Sequence, residues 1–471
     1  MAILKELVSQ LTFSKQDGVK EQIEFLKNNK QQGISAGIMM ESFLRGIRDL
    51  GYKSNSYAMN ELIDNGIQAG ATEINVLMPH KKNHITDIIL TDNGHGMSGD
   101  MLSVSVAWGG THRQGSKTGW GKYGYGLPSS CVSMGQKYTI YSKVSDKDAE
   151  DSNIDKGWHT ITVDLKSALS DEEFNPQKVF SEVTKIEVLP EDITDELLLK
   201  DIDVKSFQSG TIIHITNLDK VKYQHPTTKE NFIEDFGTTY YDMFPQVKIK
   251  VDGDLVEGID PCFATPGLKY YHSKENNVSG GTEHYTIQQI PIKAADTGEE
   301  AMITIRMNLV PADFATLPGK ATAVTSGSSE LANRFRFLKN NNGIVFKRLK
   351  RRIDCISKTP LHTFTNNNRY MRIEIDFPPM LDANFEMNTS KQNAIPDQKF
   401  WDTIRDKSNP KIREAINSYT KTYIDSMSKL KFDLARQKHK EAKESDKTIA
   451  EISMEESILQ GQPVASQEFV D

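Results

Sequence analysis

Met59-Asn60-Glu61-Leu62-Ile63-Asp64-Asn65-Gly66-Ile67-Gln68-Ala69 is the stretch around which the chain is organised. At 3.6 residues per turn Glu61, Asn65 and Gln68 fall on one stripe, while Leu62, Ile63 and Ile67 turn toward other faces. A carboxylate and an amide at i and i+4 on the edge of a core helix can share a task. The carboxylate takes a proton from water, and the amide oxygen holds a hard cation such as Mg²⁺. The same pair on a solvated helix face does nothing, so the neighbouring sequence has to decide.

Two apolar runs follow, 73–78 and 85–91, turning through Pro79-His80-Lys81-Lys82-Asn83-His84, and read as paired strands. The second run ends in Asp92-Asn93-Gly94-His95-Gly96-Met97, where Asn93-Gly94 makes a tight turn. Gly121-Lys122-Tyr123-Gly124-Tyr125-Gly126 then opens a helix expected over 127–134. Backbone N–H groups at such a start surround an anion, and the helix dipole favours its charge. Lys122 either adds charge to bound phosphates or stands in solvent. The spacing is neither a Walker loop nor the dinucleotide fingerprint. The Gly-, Ser- and Thr-rich segment 109–119 has the composition of a mobile cover. Much later, Ser209-Gly210-Thr211 starts the strand Ile212-Ile213-His214-Ile215.

In this order and with these spacings, the four blocks resemble the GHKL ATPases, the group of gyrase, heat-shock chaperones, histidine kinases and MutL, whose nucleotide pocket is the Bergerat fold. The resemblance covers residues 36–220 well and thins toward 400. It implies ATP and Mg²⁺ as cofactors, with Glu61 as the base that activates water and Asn65 as the magnesium ligand. Asp92 stands where the family's aspartate accepts a hydrogen bond from the adenine amino group, an acceptor that a guanine carbonyl would leave unpaired. Gly94 belongs to the turn beside the base, Gly96 lets the backbone approach it, and Met97 forms an apolar wall. Gly121, Lys122, Tyr123, Gly124, Tyr125, Gly126 and Leu127 complete the nucleotide-binding set, and Thr211 supports Asp92 through water. The family calls the region 109–119 the ATP lid. Gln68 departs from the pattern, since many relatives carry aspartate there; a neutral amide can still orient water.

Bulk properties agree with a soluble ATPase. A chain of 471 residues implies two or three domains, and 37% hydrophobic with 26% charged residues is ordinary for globular cores. No apolar run approaches about 18 residues, and residues 1–11 lack the features of a signal peptide. Cys131, Cys262 and Cys355 lie far apart without a Cys-x-x-Cys, and His80 and His84 have no cysteine or carboxylate beside them. A cytoplasmic location is therefore expected, with neither a disulfide framework nor a histidine metal site. A net charge of −7 argues against coating nucleic acid with the whole surface.

The expected fold class is α+β. An N-terminal helical segment (1–50) precedes a Bergerat-fold ATPase domain (51–225) with helices on one face of a mixed, mostly antiparallel sheet. A transducer-type α+β domain (226–400), a long C-terminal helix (401–446) and an acidic tail (447–471) follow. Leu4, Leu7, Val8 and Leu11 have helical spacing, and Met39, Met40, Phe43, Leu44 and Ile47 read as core packing. The acidic run 146–151 reads as a solvated hairpin loop and 172–201 as an insertion. Strand patterns at 247–253, 284–290, 301–309 and 370–377 build the second domain. Ile412, Ile416, Tyr419, Tyr423, Met427, Leu430 and Leu434 form a narrow seam suited to a coiled coil or to a helix lying along a domain.

Gyrase-like relatives use a transducer lysine to reach the terminal phosphate. Lys391, in Asn388-Thr389-Ser390-Lys391-Gln392-Asn393, looks like that lysine, and this motif is similar to bacterial relatives of the microrchidia (MORC) ATPases. Phe346-Lys347-Arg348-Leu349-Lys350-Arg351-Arg352 carries five basic residues in seven. It reads either as a protected edge strand or as a patch gripping DNA or RNA phosphates.

The function implied is an ATP-hydrolysing, MORC-like conformational switch with slow turnover. It would form an ATP-dependent homodimer and serve a nucleic-acid-directed or anti-phage defence assembly, together with a partner subunit and away from membranes. A histidine kinase would need a phosphoacceptor histidine ahead of the Glu-Asn helix, and the first histidine here is His80. A topoisomerase is not expected unless another chain supplies its cleavage domain, and neither a MutL-like factor nor a chaperone is expected, since their later domains are not read in this sequence. The alternative is a non-hydrolysing, ATP-bound scaffold or a chaperone-like protein.

Overall fold

Apolar residues alternate along Ile88–Asp92, so Ile88 and Leu90 enter one buried cluster and Ile89 another. Tyr138 and Ile140 part from Tyr141 in the same way, and Ile213 and Ile215 from Ile212. A sheet buried on both faces follows from that pattern. The computed structural model describes residues 15–29, 40–50, 52–111, 119–120, 124–169, 178–219, 224–271, 283–317, 320–385, 394–407 and 409–444. The chain divides into two compact units. The first is Met1–Gly258 with Leu349–Arg351 and Met387–Ala394; the second is Ile259–Arg348, Arg352–Glu386 and Ile395–Asp471.

The first unit opens with helices α1 (Lys15–Asn29), α2 (Met40–Leu50) and α3 (Asn55–Gln68). Strands β1 (Glu73–Leu77), β2 (His80–Lys81), β3 (His84–Ile85) and β4 (Ile88–Asp92) lead to α4 (Gly99–Ser105) and α5 (Gly126–Met134). Then come β5 (Gly135–Lys143), α6 (Asp146–Ser152), β6 (Trp158–Asp164), α7 (Leu165–Leu169), β7 (Thr184–Ile186) and α8 (Glu191–Leu198). The unit closes with β8 (Gly210–Leu218), α9 (Thr227–Thr239), β9 (Lys248–Val251) and β10 (Asp254–Leu255). Eight strands form one sheet in the order β10-β9-β1-β4-β8-β5-β6-β7, and its pairs are antiparallel except β1 with β9. Leu62 and Ile63 of α3, Val132 of α5 and Phe236 of α9 cover one face. Ile193 and Leu197 of α8 cover part of the other, so the described part of the stretch read as an insertion supplies core.

Two sequence expectations change here. The run 146–151 is helical, because Ser145 Oγ accepts from Asp148 N at 3.1 Å as an N-cap and the acidic residues sit at the positive end of the helix. The strand expected to begin the second domain, β9, pairs instead with β1. Asp252 Oδ1 accepts from Met78 N at 2.8 Å and fastens that pairing, so the first unit extends past residue 225 to Gly258. A parallel partner so distant in sequence leaves no local signal.

The second unit contains β11 (Glu283–Lys293), β12 (Glu300–Leu309), α10 (Glu330–Asn340), β13 (Ile344–Arg348) and β14 (Arg351–Ile356, whose first residue counts with the first unit). It continues with β15 (Met371–Phe377), α11 (Gln398–Lys407) and α12 (Asn409–Glu444). Its sheet runs β11-β12-β15-β13-β14. Phe377 stacks on Phe385 at 3.7 Å, and Phe346 meets Trp401 edge-on at 6.2 Å. Ile416 and Tyr419 of α12 are buried and Tyr423 stacks on Tyr370 at 4.5 Å, so this part of the seam lies along the unit. The stripe at Leu4 to Leu11 and the tail 447–471 lie outside the described residues.

The basic run spans the inner strand β13 and the start of the edge strand β14, and three of its five charges are buried. β13 lies inside the sheet, between β15 and β14. Lys347, Arg348 and Arg351 are only 1%, 2% and 1% exposed. Lys347 Nζ lies 3.4 Å from Glu374, and Arg348 holds Asp382 with two hydrogen bonds of 2.6 and 2.8 Å. Arg351 Nε donates to Asp64 at 2.8 Å. Lys350 and Arg352 are half-buried. Carboxylates remote in sequence claim the charges of Lys347, Arg348 and Arg351.

Glu374 also belongs to a buried network in which Arg306 Nη2 donates to both Asp260 oxygens at 2.7 and 2.8 Å. Asp260, Cys262 and Glu374 stand close enough together to suggest a metal set. Arg306 and Lys347 already engage those carboxylates, and burial pushes the Cys262 thiol up, away from the thiolate a metal needs.

Candidate active site

Helix α3 presents Glu61 4% exposed and Asn65 open to solvent. It lies close against the end of β4 because Gly66 has no side chain. A Cβ there would sit 3.1 Å from both Asp92 Cβ and Ile74 Cδ1. Asp92, the last residue of β4, is 5% exposed, and its Oδ1 accepts from Gly94 N at 2.8 Å. Asn93 Oδ1 accepts from Thr72 N at 2.8 Å and Glu73 N at 3.0 Å, pinning the turn to the start of β1. His95 N donates to Ala69 O at 2.9 Å, tying the turn to the end of α3 as well.

Strand register brings Thr211 opposite Asp92 on β8 and Ser142 opposite Thr211 on β5. Ser142 Oγ donates to Gly210 O at 3.1 Å, lies 3.0 Å from Thr211 Oγ1 and accepts from Met97 N at 2.8 Å. It joins two expected site residues, and no sequence motif marks it. Ser209 Oγ closes the same corner by donating to Gly94 O at 2.7 Å. Gly96 has φ +70°, and a Cβ on it would lie 2.0 Å from Lys143 O. Glycine is required there by the protein's own backbone, whatever binds beside it.

Helix α5 brings its first residue to the carboxylate of α3. A Cβ on Gly126 would stand 2.7 Å from Glu61 Oε2. Gly124, with φ +68°, packs on Gly109 and Gly110, and its carbonyl accepts from Gly109 N at 3.1 Å. Tyr125 is 39% exposed, and Leu127 is half-buried against the core. Gly121, Lys122, Tyr123 and Lys391 lie outside the described residues.

Gln68 has a different task from the one expected. Its Oε1 accepts from Trp120 N at 3.0 Å and its Nε2 donates to Asp64 O at 3.2 Å, with the side chain 1% exposed. The amide expected to orient water is an anchor for the chain just before Gly121. Burial, and then the negative charge of Glu61, push the phenol of Tyr52 up. Burial works against the charge of Arg351, but Asp64, Tyr240 and Glu61 more than reverse it, so this guanidinium is held more firmly protonated than usual.

Residues 52–186 match a family model described as histidine kinase-, DNA gyrase B-, and HSP90-like ATPase. This segment is a GHKL-type ATPase domain. No curated protein matches the chain. The matched span of the GHKL-type domain contains Glu61, Asn65, Asp92 and Gly126, whereas Thr211 and Arg351 lie beyond it. The donor set fits the cofactors of this superfamily. The exposed Asn65 amide would offer a hard oxygen to a bound Mg²⁺. No described helix is long and apolar enough to cross a membrane.

Proposed function

We propose that this chain binds ATP with Mg²⁺ and hydrolyses it slowly as a MORC-like conformational switch. The observation that carries the reading is the contact of Gly126 with Glu61 at one part of α3 while Gly66 of the same helix packs on Asp92. One helix thereby sets the spacing between an adenine acceptor and a general base. Asp92 receives the adenine amino group, Asn65 holds the cation, and Glu61 takes the proton of the attacking water. Bound Mg²⁺ supplies neutralisation of phosphate charge.

Lys391 meets the terminal phosphate in this reading, so ATP and ADP differ in the state they favour. Only such differential affinity can drive a homodimer that responds to nucleotide. The motif at residues 388–393 supports the MORC-like assignment, and by the same resemblance a cytoplasmic role in a defence assembly.

Phosphate release by wild type and Glu61→Ala tests the reading. Turnover should fall about 10²–10⁴-fold in the variant while ATP still binds. Equal rates would reject Glu61 as the base. A wild type that binds ATP without turnover would favour the static scaffold. Light scattering should show dimers with a non-hydrolysable ATP analogue and not with ADP, a difference that Lys391→Ala abolishes.

A further inference from the structure

Three buried groups meet on the side of α3 next to its catalytic stripe. Asp64 Oδ1 accepts from Arg351 Nε at 2.8 Å and from the Tyr240 hydroxyl at 2.8 Å. The same hydroxyl lies 3.0 Å from Asn60 O. The side chains of Asp64 and Arg351 are each 1% exposed, and 287 positions of chain separate them. All three belong to the first unit.

Asn60 and Asp64 are i and i+4 on α3, one residue before Glu61 and Asn65. A clamp on the first pair therefore sets the rotation at which the helix presents the second. Arg351 grips one partner, and Tyr240 spans both. Gly126 abuts the carboxylate of Glu61, where even a methyl group would crowd it. A buried ion pair adds little net stability compared with an apolar pair of the same volume. What such a pair contributes here is orientation. The charge of Glu61 also helps to hold Arg351 protonated.

We propose that Arg351, acting through Asp64, is a positioning residue for ATP hydrolysis, holding α3 at the rotation that offers Glu61 to water and Asn65 to the cation. The proposal rests on the ATPase reading above. It makes the catalytic apparatus depend on a residue far outside the matched span 52–186. It also gives a role to a basic residue that sequence reading placed on the surface.

The test compares full-length wild type with Arg351→Lys, Arg351→Met and the double variant Asp64→Asn/Arg351→Met. ATP affinity is measured by calorimetry, thermal stability by Tm, and hydrolysis by single-turnover phosphate release. Arg351→Met should bind ATP within about threefold of wild type but turn it over about 10²-fold more slowly at saturation, because the base is displaced rather than the nucleotide. Arg351→Lys should recover part of that rate, since it restores charge without the Nε contact. The double variant should regain Tm, having no buried charge left alone, and should stay slow. Turnover in Arg351→Met within about threefold of wild type would overturn the proposal. So would a double variant that regains turnover along with Tm, because the pair would then be structural only. If Arg351→Met does not fold, the double variant decides. A wild type that binds ATP but never hydrolyses it would defeat the ATPase reading and this proposal with it, whereas equal turnover in all folded variants would defeat the proposal alone.

Discussion

Gly126 begins its helix directly against the carboxylate of Glu61, with room for nothing larger than hydrogen: a Cβ would come within 2.7 Å of Oε2. Gly126, the last residue of the glycine-rich block, and the Glu-Asn helix, distinct in sequence, meet in space. Shifts of α5 are therefore felt first by that carboxylate.

That contact makes Gly126→Ala informative. The atom in the way is the end of a flexible side chain, so the fold should absorb the methyl with Tm moving by no more than about 3 °C. The carboxylate must turn aside, and turnover should drop by about 10²-fold with ATP affinity little changed. Phosphate release and calorimetry on the same preparation check both parts. Unchanged turnover would show that the carboxylate works from a different position.

Ser142 ties Met97 to the Gly210-Thr211 corner. Ser142→Ala leaves three groups short of a partner at a fully buried position and should cost about 1–3 kcal/mol in urea unfolding. Because the corner stands beside Asp92, ATP affinity should weaken too. A variant as stable as wild type would place water where the hydroxyl now sits.

Gln68→Ala frees the amide of Trp120 from its bond to Oε1. Losing a buried hydrogen bond worth about 1 kcal/mol should speed hydrogen exchange of the peptide containing Trp120 by roughly 5- to 10-fold. Exchange at the wild-type rate would mean that the surrounding chain, and not Gln68, holds this segment.

In the second unit, Asp260→Asn removes half of the pair with Arg306, and Asp260 is 1% exposed. Unfolding should cost about 3 kcal/mol less than in wild type, with partial recovery in Asp260→Asn/Arg306→Met, since neutralising both members leaves no lone buried charge. Denaturant titration of the three proteins checks the order. A double variant weaker than the single would show that the network matters for its hydrogen bonds more than for its charge balance.

Local chemistry makes much of the site legible in the amino-acid sequence. The i, i+4 spacing of Glu61 and Asn65, the strand ending in Asp92, the Asn93-Gly94 turn and the helix after Gly126 depend on contacts within a few residues, and the chain carries those signals in its periodicity and its glycines. The α+β class and the GHKL-type domain follow from the same blocks in order. Ser145 also stands in plain view as an N-cap, although the acidic run after it reads as a loop.

Long-range pairing decided the rest. Lys347, Arg348 and Arg351 look like a surface patch because a sequence displays charge without its partner, and Glu374, Asp382 and Asp64 reach them only through tertiary structure. The same holds for β9, which finds β1 across the whole ATPase domain, and for Ser142, which strand register alone sets beside Thr211. Gln68 kept its place on the helical stripe and changed its task, because the chain at Trp120 folds back onto it. A helix's periodicity belongs to a dozen neighbouring residues, whereas a buried ion pair belongs to two segments whose meeting depends on everything folded between them.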